Sequence, residues 1–278
     1  MVHVLKKIFD FYINSSLHVA LAVFSLSWLT LLQFGIEYDK HVLFFILFST
    51  ITGYNFVKYF GLAKFHHRSL ANWLKAIQFF SLLCFVALCY FLFKLETKTI
   101  LYVTVFGVVT FLYAIPLVPK TIFIDSKKNL RSISGLKIYV IALVWTGVTV
   151  LLPLLNNDYA MTSDVVVVAL QRFVFVMVLM LPFEIRDLSY DSLKLSTIPQ
   201  KIGVMRTKIL GIVLVLVFLG LEFFKINSAI QLWNAHILIS MLTLIFLVFA
   251  RENQNKYYSG FWVESLSILW LLLVLLFG

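Results

Sequence analysis

The sequence predicts an all-α fold, a polytopic membrane bundle of nine transmembrane helices around a central cavity. Hydrophobic residues make up 62% of the chain and charged residues 13%, whereas soluble domains carry roughly 25% charged residues. Apolar runs recur along the whole chain, and each has the length of about 20 residues that a membrane-spanning helix needs. Because the bilayer offers the backbone no hydrogen-bonding partners, such runs must be helical.

The polar segments between the apolar runs are short, so we predict one membrane domain over residues 1–278. A hydrophilic lead precedes the first run, and no small-residue cleavage site follows its apolar core, which indicates a retained span rather than a signal peptide. The longest inside segments follow the second, fourth and sixth runs. The nine predicted spans are 13–34, 41–60, 73–94, 99–118, 136–155, 165–183, 208–226, 229–250 and 260–278.

Basic residues predict the orientation of these spans. With the N-terminus inside and the spans alternating, the inside segments hold 18 of the 23 lysines and arginines, the outside segments hold 4, and Arg172 lies within a span. The positive-inside rule therefore places the N-terminus in the cytoplasm and the C-terminus outside. The net charge of +10 needs no nucleic acid to explain it. It reflects this topology, or it forms a cytoplasmic surface that attracts anionic lipids or diphosphates.

The segment after the sixth span is unusually acidic for this chain. Glu184, Asp187 and Asp191 are spaced i, i+3, i+7, which on a helix gathers the three carboxylates on one face within about 60°. Like charges placed in this way repel one another. A divalent cation such as Mg²⁺, which takes carboxylate oxygens and shares its ligands with phosphates, would account for the cluster. The alternative is a solvated helix end whose acids pair with Arg186 and Lys194.

The segment after the second span, residues 53–73, occupies the same place in the chain if spans one to four and five to eight are two related halves. Repeats of this type put a shared site at the interface between the halves, so both segments are predicted to face one cavity. Residues 53–73 are basic and contain no acid. Lys58, Lys64 and Arg68 are candidate ligands for an anionic group, or alternatively ordinary inside-facing cations.

The pattern of spans and polar segments resembles the UbiA superfamily of intramembrane prenyltransferases. EIRDLSYD followed by TIPQKIG, at 184–203, is similar to the family's second aspartate motif, D-x-x-D-x-x-x-D with a following Thr-x-Pro and Gly. LYAIPL at 112–117 and GLKIYVIALVW at 135–145 resemble the end of the fourth span and the start of the fifth. The matching motif positions are Glu184, in place of the first Asp, and Asp187, Asp191, Thr197, Pro199 and Gly203.

The resemblance implies an activity, the transfer of an isoprenoid chain from an allylic diphosphate to an acceptor with the help of Mg²⁺. It implies Asp187 and Asp191 as catalytic residues, and Glu184 together with both as metal ligands. The cofactor would be Mg²⁺ and the partner an isoprenoid diphosphate or another lipid. The candidate diphosphate-binding residues are Asn55, Lys58, Lys64, Arg68, Arg186 and Lys201.

The family's first motif, N-D-x-x-D-x-x-x-D after the second span, is not preserved. Asn55 fits its Asn, but Phe56, Tyr59 and Ala63 occupy the acidic positions, and no acid lies nearby in the chain. The cations of this segment could bind the diphosphate directly, in place of the missing aspartate–metal pairs, around a single Mg²⁺.

Two classes of function follow. One is a divergent prenyltransferase, and the other is a non-catalytic UbiA-like membrane protein that binds an isoprenoid or another lipid or acts as a scaffold. A transporter is less favoured, because no Pro/Gly-broken spans occupy matching places in the two halves. Arg172, Glu222 and His236 lie within predicted spans, where ionisable groups are costly. We interpret them as a structural cluster on the side opposite the acidic segment.

Overall fold

The structure, a computed structural model, describes residues 2–63, 72–114, 136–188, 197–226 and 230–277. All regular elements in these ranges are helical, which confirms the all-α fold. A π-helical turn at Gly147–Leu151 joins α6 to α7, a 3-10 turn at Leu221–Phe224 follows α9, and a second π-helical turn at Tyr258–Val263 precedes α11. The α-helices are α1 (Val2–Asn14), α2 (Leu17–Gln33), α3 (Lys40–Ala63), α4 (Asn72–Leu92), α5 (Thr97–Ala114), α6 (Leu136–Thr146), α7 (Leu152–Asn156), α8 (Ser163–Asp187), α9 (Ile198–Gly220), α10 (Ile230–Val248) and α11 (Glu264–Phe277).

The predicted spans coincide with helices throughout the described ranges. Among the described residues, six stretches are long and apolar enough to cross a membrane, and a seventh is added if α1 and α2, which bend by 54° where they meet, form one broken span. The chain is therefore an integral, multi-pass membrane protein. The number nine, the central cavity, the single domain and the orientation of the termini remain predictions.

The helices pack in a pattern that brings α2, α8 and α11 into the interior. α2 lies against α3 and α11, α8 lies against α6 and α9, and α10 contacts both α9 and α11. Leu26, Phe175 and Trp270 belong to the resulting core and are almost completely buried. The outward faces are also apolar, with Phe79 64% exposed on α4 and Met205 71% exposed on α9. Exposed apolar surfaces of this kind are suited to contact with lipid.

Two glycines leave room for side chains of neighbouring helices. A Cβ atom on Gly147 would lie 2.1 Å from Cζ of Phe106, and a Cβ atom on Gly211 would lie 2.3 Å from Cδ2 of Leu247. Small residues at such crossings are typical of membrane bundles, in which close packing rather than a hydrophobic driving force holds the helices together. Gly147 therefore leaves room for the Phe106 ring of α5, and Gly211 leaves room for the Leu247 side chain of α10.

Candidate functional site

The described candidate residues lie at one end of the bundle, which we call the polar end and which the charge pattern predicts to be cytoplasmic. Three contacts join its elements. Lys58 of α3 binds Ser16 at the start of α2, Lys137 of α6 pairs with Asp187 of α8, and Arg186 binds Ser259 in the second π-helical turn. Lys64, Arg68, Asp191 and Lys194 lie outside the described residues.

Asp187 is flanked by two cations. Its Oδ1 accepts a hydrogen bond from Arg186 Nε at 2.8 Å and lies 2.7 Å from Nη2, and its Oδ2 lies 3.5 Å from Lys137 Nζ. The three side chains are 19–25% exposed. The result is a partly buried group of alternating charges that a ligand can still reach.

Glu184 points toward the start of α9. The residue is 1% exposed, and its Oε2 accepts a hydrogen bond from the backbone N–H of Ile198 at 3.2 Å. The first N–H groups of a helix have no partner inside the helix, and a carboxylate there also interacts favourably with the helix dipole. Glu184 therefore joins α8 to α9, while its role as a metal ligand remains a prediction.

Substitution of Glu184 separates these two roles. We expect Glu184→Ala to lower the free energy of unfolding by about 1–3 kcal/mol, because it leaves the Ile198 N–H without its acceptor. Glu184→Gln should melt close to wild type in detergent, because its amide oxygen can accept the same hydrogen bond. A Gln variant that is stable but as inactive as the Ala variant would instead indicate a metal ligand.

Asn55, at the position of the family motif's Asn, is 4% exposed and ties three helices together. Its Nδ2 donates to the Ser15 carbonyl at 2.9 Å and to Ser81 Oγ at 2.8 Å, and its Oδ1 accepts from Ser16 Oγ at 2.8 Å. Lys58 Nζ donates to the same Ser16 Oγ at 2.9 Å. These contacts stabilise the left-handed backbone of Ser16, with φ of 62°, and fix Lys58 in place. Contact of Asn55 with a diphosphate remains a prediction.

The residues after the acidic motif form a helix start and a kink. Thr197 is the N-cap of α9, and its backbone N–H donates to Gln200 Oε1 at 3.0 Å. Pro199 lies in the first turn, where its missing N–H costs nothing. Gly203 has φ of 81° and ψ of 161° and interrupts the helix, a conformation that favours glycine. Lys201, between them, is exposed.

Glu264, the first residue of α11, is a member of the polar end that the sequence analysis missed. It follows the second π-helical turn, whose Ser259 binds Arg186, and it precedes Ser265, whose Oγ lies 3.2 Å from His18 Nε2. The signal that could have found it is a lone acid inside the apolar run 260–278, because an ionisable residue within a span points to function.

Tyr12 and His18 form a second group that the sequence analysis missed. The Tyr12 hydroxyl lies 2.7 Å from His18 Nδ1, and His18 Nε2 lies 2.9 Å from the Phe261 carbonyl. A carbonyl can only accept, so Nε2 donates to it. The His18 and Phe261 rings also stack at 4.8 Å. These contacts hold the α1–α2 junction against the second π-helical turn, beside Glu264.

Arg172 is enclosed by polar groups of α2 and of the first π-helical turn. It is 1% exposed, and its Nη1 donates to the Leu26 carbonyl at 2.7 Å and to Thr149 Oγ1 at 3.0 Å. Its guanidinium also lies 5.3 Å from the centre of the Trp270 ring. Arg172 therefore joins α8, α2, the π-helical turn and α11, which fits the predicted structural role.

Glu222 and His236 form a separate pair nearby. Glu222 Oε2 lies 3.7 Å from His236 Nε2, and it accepts hydrogen bonds from Lys225 Nζ at 2.6 Å and from Gln171 Nε2 at 2.8 Å. Gln171 precedes Arg172 on α8, so the two groups are neighbours. The three predicted members thus lie close together but are held by different partners.

Few of the described side chains are candidates for binding a metal ion. Within the described ranges, no group of three His, Cys, Asp or Glu side chains is arranged to hold a metal ion. Asp187 offers carboxylate oxygens of the kind that Mg²⁺ prefers, whereas Glu184 already binds the start of α9. Asp187 is itself paired with Arg186 and Lys137, so the Mg²⁺ site at Asp187 and Asp191 remains a prediction.

Comparison with known proteins identifies the fold. No protein-family model and no curated protein matches the sequence. A UbiA homolog from Archaeoglobus fulgidus matches with a TM-score of 0.58 at 13% identity, over 96% of this chain and 98% of that chain. Digeranylgeranylglyceryl phosphate synthase matches with a TM-score of 0.55 at 14% identity, over 98% of this chain and 97% of that chain. The chain thus has the fold of the UbiA superfamily of intramembrane prenyltransferases, as the resemblance of residues 184–203 predicted.

Proposed function

We propose that the protein is a divergent intramembrane prenyltransferase that binds an isoprenoid diphosphate at the polar end and transfers its chain to an acceptor. The observation that carries this proposal is the pairing of Asp187 with Lys137 and Arg186. Lys58 and Arg186 are each bound to a serine, Ser16 and Ser259, and these serines flank the contact of His18 with Phe261. The UbiA fold supports the class of reaction, and one of the two similar structures is named as a synthase of a prenylated glyceryl phosphate.

The cations are suited to a departing diphosphate. When the bond between the allylic carbon and oxygen breaks, its electron pair stays with the diphosphate, and positive groups fixed in advance stabilise the developing charge. Arg186 presents a planar fork that matches phosphate oxygens, whereas Lys58 acts as a point charge. Each is held by a serine, Ser259 at 2.8 Å and Ser16 at 2.9 Å. Arg186 also binds Asp187 through Nε and Nη2, so a diphosphate would compete with that carboxylate. Lys64, Arg68 and Lys201 are proposed further contacts.

The residues at the missing acidic positions of the family's first motif make other contacts. The Tyr59 hydroxyl donates to the Asn14 carbonyl at 2.8 Å, and Phe56 is partly exposed. We therefore propose a single Mg²⁺, held by Asp187 and Asp191. When bound, it would act as a Lewis acid on the leaving oxygens.

Release of diphosphate tests the proposal. Purified protein is incubated with labelled geranyl, farnesyl and geranylgeranyl diphosphates and a panel of phenolic and hydroxylated lipid acceptors, with Mg²⁺ or with chelator. We expect Mg²⁺-dependent release that falls at least tenfold in Lys58→Met and is unchanged in Arg206→Met, which removes an exposed cation of α9. Absence of both binding and release would contradict the proposal.

A non-catalytic protein that binds an isoprenoid or another lipid, or acts as a scaffold, is the second candidate. Two observations favour it, namely the missing acids of the first motif and the pairing of Asp187 with Arg186 and Lys137. Binding of an isoprenoid diphosphate without its cleavage, with Mg²⁺ and every acceptor, would support this candidate over the enzyme.

A further inference from the structure

The first helix, α1, presents an apolar face that remains exposed. Its apolar side chains recur at the spacing of three or four residues that places them on one side of a helix. They are 36–61% exposed. We call this set, which consists of Val4, Leu5, Ile8 and Phe11, the α1 apolar face. The hydrophilic lead of the sequence is therefore an amphipathic helix in the structure.

The charged residues of α1 lie on its other sides and give it a positive charge. Lys6 and Lys7 are both exposed. Asp10, the acid of α1, accepts hydrogen bonds from Lys256 Nζ at 2.7 Å and from the Tyr257 hydroxyl at 2.6 Å. Because Lys256 offsets Asp10, the two lysines leave a net positive charge on this helix. An apolar face combined with lysines is typical of helices that lie at the surface of a membrane.

Contacts with the segment before α11 fix the rotation of α1. The Phe9 ring lies 5.0 Å from the Phe261 ring and 5.2 Å from the Tyr257 ring, measured between ring centres. A Cβ atom on Gly260 would lie 3.9 Å from Ile13 Cγ2. These contacts, together with the hydrogen bonds of Asp10, use one side of α1. The α1 apolar face is therefore turned away from the segment that holds the helix.

α1 does not continue the membrane span of α2. The two helices bend by 54° where they meet, next to the left-handed backbone of Ser16. α2 alone has 17 residues, which falls within the range of about 17–25 residues that can cross a bilayer. A lysine is costly within the hydrocarbon core. The exposed Lys6 and Lys7 therefore place α1 at the surface of the membrane and not inside it.

The α1 apolar face adjoins the outward surface of α4. The Phe11 ring meets the Phe80 ring edge to face, with 5.7 Å between the ring centres, and Phe79 beside it is exposed. Trp73, at the start of α4, is also exposed, and tryptophan is enriched where a membrane meets water. Phe80 lies two helical turns further along α4, about 10 Å. That distance agrees with the depth of about 5–10 Å to which the apolar face of an interfacial helix is buried.

We propose that α1 is an interfacial helix, which inserts its apolar face among the acyl chains of the membrane and binds anionic phospholipid head groups through Lys6 and Lys7. The two lysines favour an anionic head group over a zwitterionic one, because only the former carries a net negative charge. In the orientation that the charge pattern predicts, the leaflet concerned is the cytoplasmic one, whose surface is negative. Lipid bound there would also hold α1 against the segment before α11.

A spin label tests the depth of α1 in the full-length protein in lipid nanodiscs. Cys89 is first replaced by alanine, whereas Cys84 is buried and is kept. A nitroxide at Ile8→Cys should be reached by oxygen, which concentrates in hydrocarbon, and shielded from a water-soluble nickel complex. Lys7→Cys is the matched control, because the neighbouring side chain points about 100° away around the helix, and its nitroxide should be reached by the nickel complex.

Two results of this measurement would overturn the proposal. If the nickel complex reaches the label at Ile8→Cys as readily as the label at Lys7→Cys, the α1 apolar face lies in water. If the label at Ile8→Cys is shielded from both oxygen and nickel, protein covers this face, as a second copy of the chain would.

The lipid preference is measured with a fluorophore at Ile8→Cys, because a lipid with brominated acyl chains quenches only a fluorophore that it contacts. Brominated phosphatidylglycerol should bind beside α1 more tightly than brominated phosphatidylcholine, by about fivefold for each lysine. The double variant Lys6→Gln and Lys7→Gln should lose this preference. Added salt should weaken the preference in the protein that keeps both lysines, because it screens exposed charges.

Lys40→Gln combined with Lys94→Gln is the matched control for the lipid preference. It removes two exposed lysines at the other end of α3 and α4, so the preference beside α1 should persist. Equal quenching by the two lipids when Lys6 and Lys7 are present, or an undiminished preference in the Lys6→Gln and Lys7→Gln protein, would overturn the proposal. Neither measurement uses an isoprenoid diphosphate, so both outcomes are independent of the proposed prenyltransferase activity.

Discussion

Replacement of Asp187 by asparagine is expected to lower diphosphate release by about 10²–10³-fold, which corresponds to the loss of about 2.7–4 kcal/mol of transition-state stabilisation. Asparagine keeps the size of the side chain but removes the charge that lies beside Arg186 and Lys137 and that we propose for Mg²⁺. Asp191→Asn should have the same effect, because the motif gives it the same role.

Binding distinguishes this electrostatic effect from damage to the fold. In the absence of Mg²⁺, Asp187→Asn should bind an isoprenoid diphosphate at least as tightly as wild type, because a repelling charge has been removed. Asp158→Asn is the control, since Asp158 is exposed in the turn between α7 and α8 and has φ of 53°, which asparagine tolerates. Full activity in Asp187→Asn, or loss of both binding and activity, would contradict the proposed role.

Replacement of Arg172 by methionine is expected to cause the largest loss of stability, about 3–5 kcal/mol. The change removes charge-assisted hydrogen bonds to the Leu26 carbonyl and the Thr149 hydroxyl, each worth about 1.5–3 kcal/mol. It also removes the contact with the Trp270 ring, worth about 2 kcal/mol in a desolvated site. The net loss of stability is smaller than the sum of these contributions, because the methionine variant avoids the free-energy cost of desolvating a buried guanidinium.

Thermal melting in detergent measures this effect. Arg172→Lys should fall between wild type and Arg172→Met, because an ammonium keeps the charge but cannot match the planar fork of the guanidinium. Arg206→Met, which removes an exposed cation of α9, should melt within about 0.5 kcal/mol of wild type. An Arg172→Met protein as stable as wild type would show that these contacts contribute no net stabilisation.

The positions of the helices were largely predictable, because apolar runs of sufficient length can satisfy their backbone in a membrane only as helices. The interruptions of the helices could not be predicted from apolar runs. The left-handed turn at Ser16 depends on Asn55 of another helix, and a π-helical turn at 258–263 differs from an α-helical one by a single residue per turn. Such features arise from contacts between distant segments, which hydropathy does not record.

The candidate site was predictable in part. The alternation of spans predicts that the second and sixth polar segments, with Lys58, Arg186 and Asp187, lie on the same side of the membrane, and the binding role of these residues stays a prediction. The use of Glu184 as a cap for α9 was not expected, because the motif gives no sign that Ile198 lies within reach. Glu264 was missed because an isolated acid has no pattern of spacing around it.

The kink at Gly203 makes the rotation of α9 about its own axis independent of the number of residues in the segment before it. In a continuous helix, each residue inserted upstream would turn every following side chain by about 100°. The non-helical backbone of Gly203, with φ of 81°, interrupts that transmission, so residues 204–220 keep the same faces toward lipid and toward α8 and α10. The polar segment between α8 and α9 can therefore change in length among related proteins while the membrane-embedded part of α9 keeps its orientation.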